Sequence, residues 1–557
     1  MKILILGGYG TFGGRLAHLL ANDERLTIFI AGRSIEKAQK FCKDLPSGAQ
    51  KIPTWFDRNA NVENQIKNIA PNLVVDAMGP FQIYGDDPYR VVKACLANNN
   101  DYMDLADGSD FVKGISQFDA EAKAKNIFIL AGVSSFPVLT AAVVRKLSHD
   151  MKQVNSIKGG IAPSPYAGVG LNVIRALTSY AGKPISVIRN GKPATSYALT
   201  ETMRYTISPP GYLPLNNVLF SLVDVPDMKV LPEIWRDLDS IWLGAGPVPE
   251  ILHRMLIWLS WLVRFRIIPS LLPFAPLFHF VINILRWGEH RGGMFVEVVG
   301  TARSGERIER SWHLLAERGD GPFIPSMAAQ AIILRMLADK KPSAGARAAT
   351  HELEVADYEA IFNTRTIYTG ERESKQDATP LYKGLLGAAW DALPTPLAAM
   401  HNLTAQEGRA EGAARVVRGK NLLARLVATL FGFPSAGENV PVKVTFQQKD
   451  GGELWTRDFA GKKFSSFQTE GHGYADKLLV EKFGPATFWL ALVLKDEQLH
   501  LVTRRWSLFG TPMPLALSPN ASTYEYEEDG KFCFHVEVKS LLIGLIVRYE
   551  GRLEIVG

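Results

Sequence analysis

The sequence predicts an α/β protein with a parallel sheet at its N-terminus, an α+β domain with an antiparallel sheet in the middle and a β-rich α+β domain at its C-terminus. Three observations carry this prediction: apolar runs separated by helix-length segments over residues 1–135, hairpin signals over 136–368, and alternating strand patterns over 381–557. The 557 residues also exceed one ordinary domain of roughly 100–200 residues, so several domains are expected.

The N-terminal parallel sheet is predicted from short apolar runs at 3–6, 26–31, 73–77, 102–105 and 127–131. Strands of this kind are buried on both faces and are joined by helices in consecutive βαβ units. One helix start is predicted from Asp87 as the N-cap and Pro88 at the first helical position.

The later domains are predicted mainly from their turns. Asn190-Gly191 and Ser304-Gly305 indicate hairpins in the middle domain, and the polar stretch 369–380 is interpreted as a linker. Two helices, at about 381–393 and 420–431, precede the C-terminal strands. The turns between those strands are predicted at Asp450-Gly451-Gly452, Lys495-Asp496-Glu497, Asp529-Gly530 and Glu550-Gly551.

A glycine-rich turn follows the first predicted strand and opens a helix. Glycines at such a turn let the backbone approach a pyrophosphate, and the helix N-terminus offers unpaired N–H groups to it. The motif therefore predicts a Rossmann-like dinucleotide-binding domain, the alternative being a sharp structural turn without a ligand. The predicted cofactor contacts here are Gly7, Gly8, Gly10, Thr11, Phe12 and Gly13.

The end of the second strand favours NADP over NAD. Enzymes that bind NAD usually place a carboxylate here for the ribose 2′-hydroxyl, whereas this chain has Arg33 and Ser34, with Lys37 one turn later. A guanidinium suits a 2′-phosphate, so these three residues are predicted to contact NADP. The alternative is that Arg33 is a solvated loop charge.

Several motifs together resemble a known family. The stretches 4–13, 31–33, 76–81 and 101–105 are similar to the saccharopine dehydrogenase-like NADP-binding domain, and 505–514 resembles a domain of unknown function found fused to it. The resemblance implies that Gly79, Pro80 and Phe81 run along the cofactor near its nicotinamide side. It also implies that 134–137 ends the sixth strand, where the chain leaves for the next domain.

The resemblance implies an NADP(H)-dependent oxidoreductase that transfers a hydride to or from a hydrophobic or lipid-linked substrate. Saccharopine itself would require a cluster of basic residues, and the middle domain offers aliphatic and aromatic bulk instead. Relatives such as the trans-acting enoyl reductases suggest lipidic substrates. The alternative is a non-catalytic NADP-binding scaffold or sensor with a lipid-binding C-terminal domain.

No catalytic acid or base is identified from the sequence. Asp104, Tyr166, Arg291 and His313 are polar residues that could face a cleft, and each is interpreted as structural. Tyr89 and Lys93 have the spacing of the short-chain dehydrogenase pair, but they lie one helix too early in the fold. His351-Glu352 lacks the second histidine of a zinc motif because position 355 is Val, so no metal is predicted.

The apolar block 251–287 predicts peripheral contact with a membrane. Residues 251–291 carry five arginines against Glu289 alone, and 267–285 is nineteen residues without a formal charge. Pro269, Pro273 and Pro276 disfavour one straight helix. An interfacial helix hairpin is favoured, and a buried core, a homodimer contact and a spanning segment are the alternatives.

The remaining partners and the location follow from composition. The net charge of +6 is too mild to predict nucleic acid as a partner, and its local excess lies in the apolar block. Three cysteines, far apart in sequence, indicate a reducing compartment. The chain is therefore expected in the cytoplasm or at the inner face of the membrane.

Overall fold

The computed structural model describes residues 1–247, 249–374, 380–402, 407–449, 452–540 and 543–556. The strands are β1 Lys2–Leu6, β2 Thr27–Gly32, β3 Gln50–Trp55, β4 Leu73–Asp76, β5 Asp101–Asp104, β6 Phe128–Ala131, β7 Met151–Ala162, β8 Pro184–Arg189, β9 Lys192–Tyr197, β10 Thr202–Ile207, β11 Leu215–Leu222, β12 Ser240–Ala245, β13 Gly292–Ala302, β14 Arg307–Ala316, β15 Gly345–Ala348, β16 Ile367–Ser374, β17 Glu407–Arg418, β18 Gly437–Lys449, β19 Gly452–Phe459, β20 Lys462–Glu470, β21 Leu479–Phe483, β22 Ala486–Lys495, β23 Gln498–Leu508, β24 Thr511–Met513, β25 Asn520–Glu528, β26 Lys531–Ser540 and β27 Gly544–Val556.

The helices are α1 Thr11–Leu20, α2 Ile35–Asp44, α3 Val62–Ile69, α4 Arg90–Asn98, α5 Ser109–Gly114, α6 Asp119–Ala124, α7 Thr140–Leu147, α8 Leu171–Tyr180, α9 Asp227–Ile234, α10 Glu250–Arg264, α11 Ala275–Ile284, α12 Ile324–Leu337, α13 Val355–Phe362, α14 Leu381–Leu386, α15 Thr395–His401 and α16 Leu422–Leu430. Short 3₁₀ turns include Phe81–Ile83, Leu272–Phe274 and Gly387–Ala392.

Two compact units divide the chain. The first unit is Met1–Arg204 with Leu219–Tyr368, and the second is Tyr205–Val218 with Thr369–Gly557. The predicted boundaries, at 135, 368 and 381, differ from this division. The segment 205–218 was predicted in the middle domain, but it belongs to the second unit although it is far in sequence from 369–557. The polar stretch interpreted as a linker, 369–380, is strand β16 as far as Ser374, and residues 375–379 lie outside the described residues.

The parallel sheet predicted in the first unit is confirmed. Its strand order is β15-β6-β5-β4-β1-β2-β3, and β1 pairs in parallel with both β2 and β4. All five predicted strands are present. Two further strands were not predicted, because β3 is largely half-exposed without an apolar run and β15 has only four residues. The sheet therefore extends beyond the predicted limit at residue 135.

One helix start was predicted too early. Helix α4 begins at Arg90, and Tyr89 precedes it without a side-chain cap. The Asp87 carboxylate forms an ion pair with Lys93 at 2.8 Å instead of capping the helix. The proline at position 88 thus lies in the turn before the helix.

A second sheet of seven strands is mixed. Its order is β10-β11-β12-β7-β13-β14-β16, with β13 antiparallel to β7 and β14, and β12 parallel to β7. Both predicted hairpins are present, β8–β9 around Asn190-Gly191 and β13–β14 around Ser304-Gly305. The parallel pair β7–β12 was not predicted, since these strands are distant in sequence and α8 lies between them.

The apolar block 251–287 forms a helix pair. Helix α10 leads through the turn Leu272–Phe274 to α11, and Pro273 and Pro276 lie at the N-terminal ends of the turn and of α11, where a missing N–H costs least. Across the described residues, no helix has the length and apolar character needed to cross a membrane.

The second unit contains an antiparallel sheet that closes on itself. The strands follow the order β22-β21-β20-β19-β18-β17-β27-β26-β25-β23-β24, and β22 also pairs with β23. The predicted helices correspond to α14 with its following 3₁₀ turn and to α16, whereas α15 was not predicted.

The predicted turns of this sheet have three outcomes. Those at 495–497 and 529–530 join β22 to β23 and β25 to β26. The one at Glu550-Gly551 is wrong, because both residues lie inside β27. A Cβ on Gly551 would lie 2.4 Å from the Ala413 carbonyl oxygen, so this glycine allows close strand packing and makes no turn. Of the fourth predicted turn, Asp450-Gly451-Gly452, residues 450 and 451 lie outside the described residues.

Candidate functional site

The glycine loop between β1 and α1 has the geometry of a phosphate-binding turn. Gly7 has a φ of +71°, and its carbonyl oxygen accepts a hydrogen bond from the Gly10 N–H at 2.8 Å. A Cβ on Gly13 would lie 2.4 Å from that same oxygen, and one on Gly8 would lie 2.9 Å from the Ile5 oxygen. Gly10 precedes α1 without a side-chain cap, so the first N–H groups of the helix remain available to an anion.

The end of β2 lies beside this loop. The Tyr9 hydroxyl accepts a hydrogen bond from the Ser34 N–H at 3.0 Å. The Ser34 hydroxyl caps α2 by accepting from the Lys37 N–H at 3.2 Å. Arg33 is exposed and has no ion pair among the described residues, so its guanidinium is available to a ligand. The backbone thus presents Arg33 and Lys37 at the place where a ribose 2′-substituent is read in this fold.

The turn after β4 carries Gly79, Pro80 and Phe81 and is fixed by a buried carboxyl group. Asp76 accepts hydrogen bonds from the Tyr84 hydroxyl at 2.7 and 2.9 Å and from the Met78 N–H at 3.0 Å. Burial raises the pKa of Asp76 to about 6 despite these donors. Asp76 therefore holds the turn in place at the carboxyl end of the sheet.

Asp104 performs the same role at the end of β5. It accepts hydrogen bonds from the N–H groups of Ala106 at 3.0 Å and Gly132 at 2.8 Å, which ties together the chain after β5 and after β6. Burial raises the pKa of Asp104 to about 7. Because its side chain is fully buried, Asp104 positions the backbone and does not face a substrate.

An acidic residue, Asp107, follows β5 near the turn that carries Gly79, Pro80 and Phe81. Asp107 is exposed. The next residue, Gly108, is so close to Phe81 that a Cβ there would lie 3.3 Å from the Phe81 carbonyl carbon. Asp107 and Gly108 thus lie beside the segment predicted to run along the nicotinamide.

Two further groups act on Asp107, and Asp107 in turn acts on Tyr180. The loss of surrounding water raises the pKa of Asp107, the Gln82 amide opposes this rise, and the charge of Asp224 adds to it. The amide nitrogen and oxygen of Gln82 are both buried without a hydrogen-bond partner among the described residues. Burial and the charges of Asp107 and Asp224 raise the pKa of Tyr180 well above its ordinary value. These groups come from four separate elements, and the sequence patterns did not point to them.

Residues 163–172 of the first unit connect β7 to the first turn of α8, and we call them the strap. The Arg15 guanidinium donates to the carbonyl oxygens of Ala167 at 3.0 Å and Gly168 at 3.2 Å. The Asn172 amide donates to the Gly79 carbonyl oxygen at 3.0 Å. The strap therefore contacts both the start of α1 and the turn after β4.

The other side of the strap contacts the apolar block. The Tyr166 hydroxyl donates to the Arg286 carbonyl oxygen at 3.3 Å, and the Tyr166 ring stacks on His290 with centroids 4.1 Å apart. The Asn283 amide, on α11, donates to the Val169 carbonyl oxygen at 3.3 Å. One short segment thus joins the candidate cofactor site to the exposed helices.

Comparison with known families identifies two parts of the chain. Residues 3–130 match the model of the saccharopine dehydrogenase NADP binding domain. The chain carries a saccharopine dehydrogenase-like domain. Residues 393–553 match a domain of unknown function.

Relatives of known name are distant. A lipid droplet localized protein of Caenorhabditis elegans is 26% identical over 207 residues, which are 34% of this chain and 47% of that protein, so the chain spans about half of its curated relative. The apo structure of saccharopine dehydrogenase (L-Glu forming) from Saccharomyces cerevisiae is 14% identical, with a TM-score of 0.48 over 67% of this chain and 100% of the other. Biliverdin reductase from Synechocystis is 13% identical, with a TM-score of 0.28 over 61% and 92% of the two chains.

Other polar residues singled out in the sequence have contacts within the first unit. Arg291 is buried in an ion pair with Glu289 at 2.7 Å, and the buried His313 ring contacts the Ser311 hydroxyl at 2.9 Å. The Tyr89 hydroxyl donates to the Phe111 carbonyl oxygen at 2.9 Å. Among the described residues, no group of His, Cys, Asp and Glu is arranged to hold a metal ion.

Proposed function

We propose that this protein is an NADP(H)-dependent oxidoreductase acting on a hydrophobic substrate. The observation that carries the proposal is a glycine loop with the geometry needed for a pyrophosphate, together with Asp107, an acid of raised pKa, at the carboxyl end of the same sheet. Fold alone would not support an activity, because the same fold carries many functions. Here Asp107 adds a group able to move a proton.

The residues of the loop fit the cofactor. The backbone at Gly7, Gly10 and Gly13 leaves room for a pyrophosphate, and Arg33 and Lys37 would hold a 2′-phosphate. Gly79, Pro80 and Phe81 would lie along the nicotinamide. When bound, NADP(H) would supply or accept the hydride.

Asp107 is our candidate for the proton-transfer group. Its raised pKa allows the carboxyl to keep a proton at a higher pH than an ordinary aspartate does. The Gln82 amide acts on Asp107 and would hold its carboxyl in place. Tyr180, whose pKa is raised by burial and by the charges of Asp107 and Asp224, would stay neutral beside them.

We further propose that the apolar block contacts a lipid surface. Helix α10 buries one stripe, and its opposite stripe exposes Ile251, Met255, Trp258 and Phe265. Trp258 and Phe265 are 63% and 65% exposed, and Phe280 of α11 is 62% exposed, which is unusual for aromatic side chains. Arginines beside such a surface favour anionic lipid. The name of the Caenorhabditis elegans relative agrees with a lipid surface, and a homodimer contact is the competing use of these helices.

The test of the activity follows the hydride instead of a chosen substrate. NADPH carrying deuterium at the nicotinamide C4 is incubated with the full chain and a total lipid extract, and the lipids are analysed by mass spectrometry. We expect deuterium in a lipid product, with loss of the signal in Asp107→Asn while NADPH still binds. NADPH binding without any transfer would support the non-catalytic scaffold instead.

A further inference from the structure

The closed sheet of the second unit surrounds a cavity of about 230 Å³. Its circuit from β22 round to β23 uses ten strands, and the interior of a closed sheet widens as strands are added, beyond about eight strands leaving space that side chains do not fill. The lining is mostly apolar and strongly aromatic. Its aromatic members include Phe433, Trp455, Phe464, Phe488, Trp506 and Phe532.

One region of this cavity is polar. The Tyr382 hydroxyl donates to the Gln468 amide oxygen at 3.2 Å, and the Gln468 amide donates to Glu481 at 3.0 Å. Arg457 lies 3.9 Å from Glu481 and donates to the Ser466 hydroxyl at 2.9 Å. We call this connected set the polar pole. A ligand with a hydrogen-bonding group can meet donors and acceptors here that are already held in position.

The charges that line the cavity do not suit an anion. They are Arg457 against Glu481 and Glu525. His401 contacts Glu525 at 2.5 Å from behind and can offset at most one negative charge. A carboxylate brought to the polar pole would lose its hydration beside two glutamates and would find the one arginine already engaged.

Helix α16 lies at one end of the cavity. Its Val427 lines the cavity, as do Phe431 and Phe433 just after the helix. Leu422, Leu423 and Leu426 of the same helix are exposed to solvent, at 80%, 57% and 62%. A helix with apolar residues towards the cavity and apolar residues towards solvent gives an apolar ligand a continuous path across its edge.

We propose that the second unit binds one uncharged apolar molecule with a hydrogen-bonding head, such as a long-chain or isoprenoid alcohol, inside the closed sheet. The head lies at the polar pole, the apolar body contacts the aromatic lining, and entry is at α16. This binding site is separate from the dinucleotide site and does not depend on the proposed oxidoreductase activity.

The test compares two probes that share one apolar skeleton. Retinol is uncharged and retinoic acid is an anion, and both are titrated into the full chain while energy transfer from tryptophan is followed. We expect saturable binding of one retinol per chain and affinity for retinoic acid lower by about tenfold or more. Equal affinities would overturn the assignment of an uncharged head.

Adjacent serines of β20 provide the matched variants. Ser466 lines the cavity and is buried, whereas Ser465 is exposed on the other face of the strand. Ser466→Phe should weaken retinol binding by about tenfold or more, while Ser465→Phe leaves it unchanged. Thr503→Phe fills the cavity from another strand and should repeat the effect if Ser466→Phe fails to fold. Retinol binding that survives both cavity-filling variants in folded protein would overturn the proposal.

Discussion

At the scale of single residues, the glycine loop makes the most direct prediction. A Cβ on Gly10 would meet only the Gly7 carbonyl oxygen, at 3.0 Å, so Gly10→Val should fold while its side chain occupies the space that a pyrophosphate needs. Titration calorimetry should show loss of NADPH binding, with an unchanged circular dichroism spectrum. Gly384→Ala, at a position with no neighbour within 4 Å, is the control. Undiminished affinity in the valine variant would refute the site.

Arg33 should decide between the two dinucleotides. Replacing it with Asp removes a cation from the 2′-phosphate and adds an anion, so the affinity for NADPH should fall by about one to two decades. The affinity for NADH should change little. Lys40→Asp, a charge change on the exposed side of α2, controls for general electrostatics. Equal losses for both cofactors would show that Arg33 does not read the phosphate.

Asp104 should make stability depend on pH. Its pKa is about 7 in the folded chain against about 3.8 in the unfolded one, so between these values the folded state retains a proton that the unfolded state releases. Rising pH therefore destabilises the fold, by at most about 1.4 kcal/mol per pH unit for one group. Thermal unfolding at pH 5 and pH 8 should show a larger decrease in wild type than in Asp104→Asn. A difference between the two proteins that is constant with pH would contradict this.

The glycine loop was predictable because each glycine is required by the local backbone, for a tight turn or a close approach. Asp107, Asp224, Tyr180 and Gln82 were not, because they meet only after β5, β11, α8 and the turn after β4 are packed together. No spacing in the sequence indicates that these four residues come together. Asp104 could be singled out from the sequence because it is a polar residue at the end of a strand. Its complete burial shows that it holds the backbone in place.

At the scale of secondary structure, the helix pair of the apolar block makes a prediction about membranes. Arg264 lies 4.4 Å above the rings of Tyr197 and Trp261, so changing it would also disturb packing. Arg266 and Trp258 are exposed, and they are the cleaner positions. Arg266→Glu with Trp258→Ser should reduce co-sedimentation with anionic vesicles and leave the thermal midpoint unchanged.

The control for this pair is Trp55→Ser, which removes a half-exposed tryptophan from the edge strand β3. Binding in wild type should weaken at high salt, because salt screens attraction between arginines and anionic lipid. If vesicles have no effect and the double variant dissociates a dimer, the helices form a contact between copies of the chain.

Strands with strong apolar patterns were predicted, whereas a strand that depends mainly on backbone hydrogen bonds was missed. The buried strands β1, β2, β4, β5 and β6 have apolar runs that any parallel sheet requires. Strand β16 was interpreted as a linker because its residues are polar, yet a strand at the edge of a sheet needs only backbone hydrogen bonds on one side. Gly551 was interpreted as part of a turn, but a glycine permits close packing between strands as well as reversal of the chain.

At the scale of the whole molecule, the second unit includes the segment 205–218, which is distant in sequence from the rest of that unit. The Gly211 carbonyl oxygen accepts from the Leu494 N–H at 3.0 Å, the Asn216 amide donates to the Asp476 carbonyl oxygen at 3.1 Å, and Arg372 donates to the Ser208 carbonyl oxygen at 2.7 Å. A fragment of residues 369–557 lacks these partners. The C-terminal region predicted as an independent domain is therefore incomplete without 205–218.

The fragment 369–557 should be less stable than the same fragment with the 205–218 peptide added. Loss of three hydrogen bonds, each worth about 1 kcal/mol net, corresponds to roughly 3 kcal/mol of unfolding free energy. Urea unfolding followed by tryptophan fluorescence measures this, with a scrambled peptide as the control. Equal midpoints with both peptides would show that 205–218 is not part of the folding unit.

The strap has a consequence for how the two proposed ligands of the first unit affect one another. Its residues are bonded on one side to Arg15 and Gly79 and on the other to Asn283 and Arg286. If displacement of the strap accompanies both binding events, the two events share a coupling free energy. Thermodynamic reciprocity then requires that a lipid surface change the affinity for NADPH by the same factor by which NADPH changes the affinity for that surface.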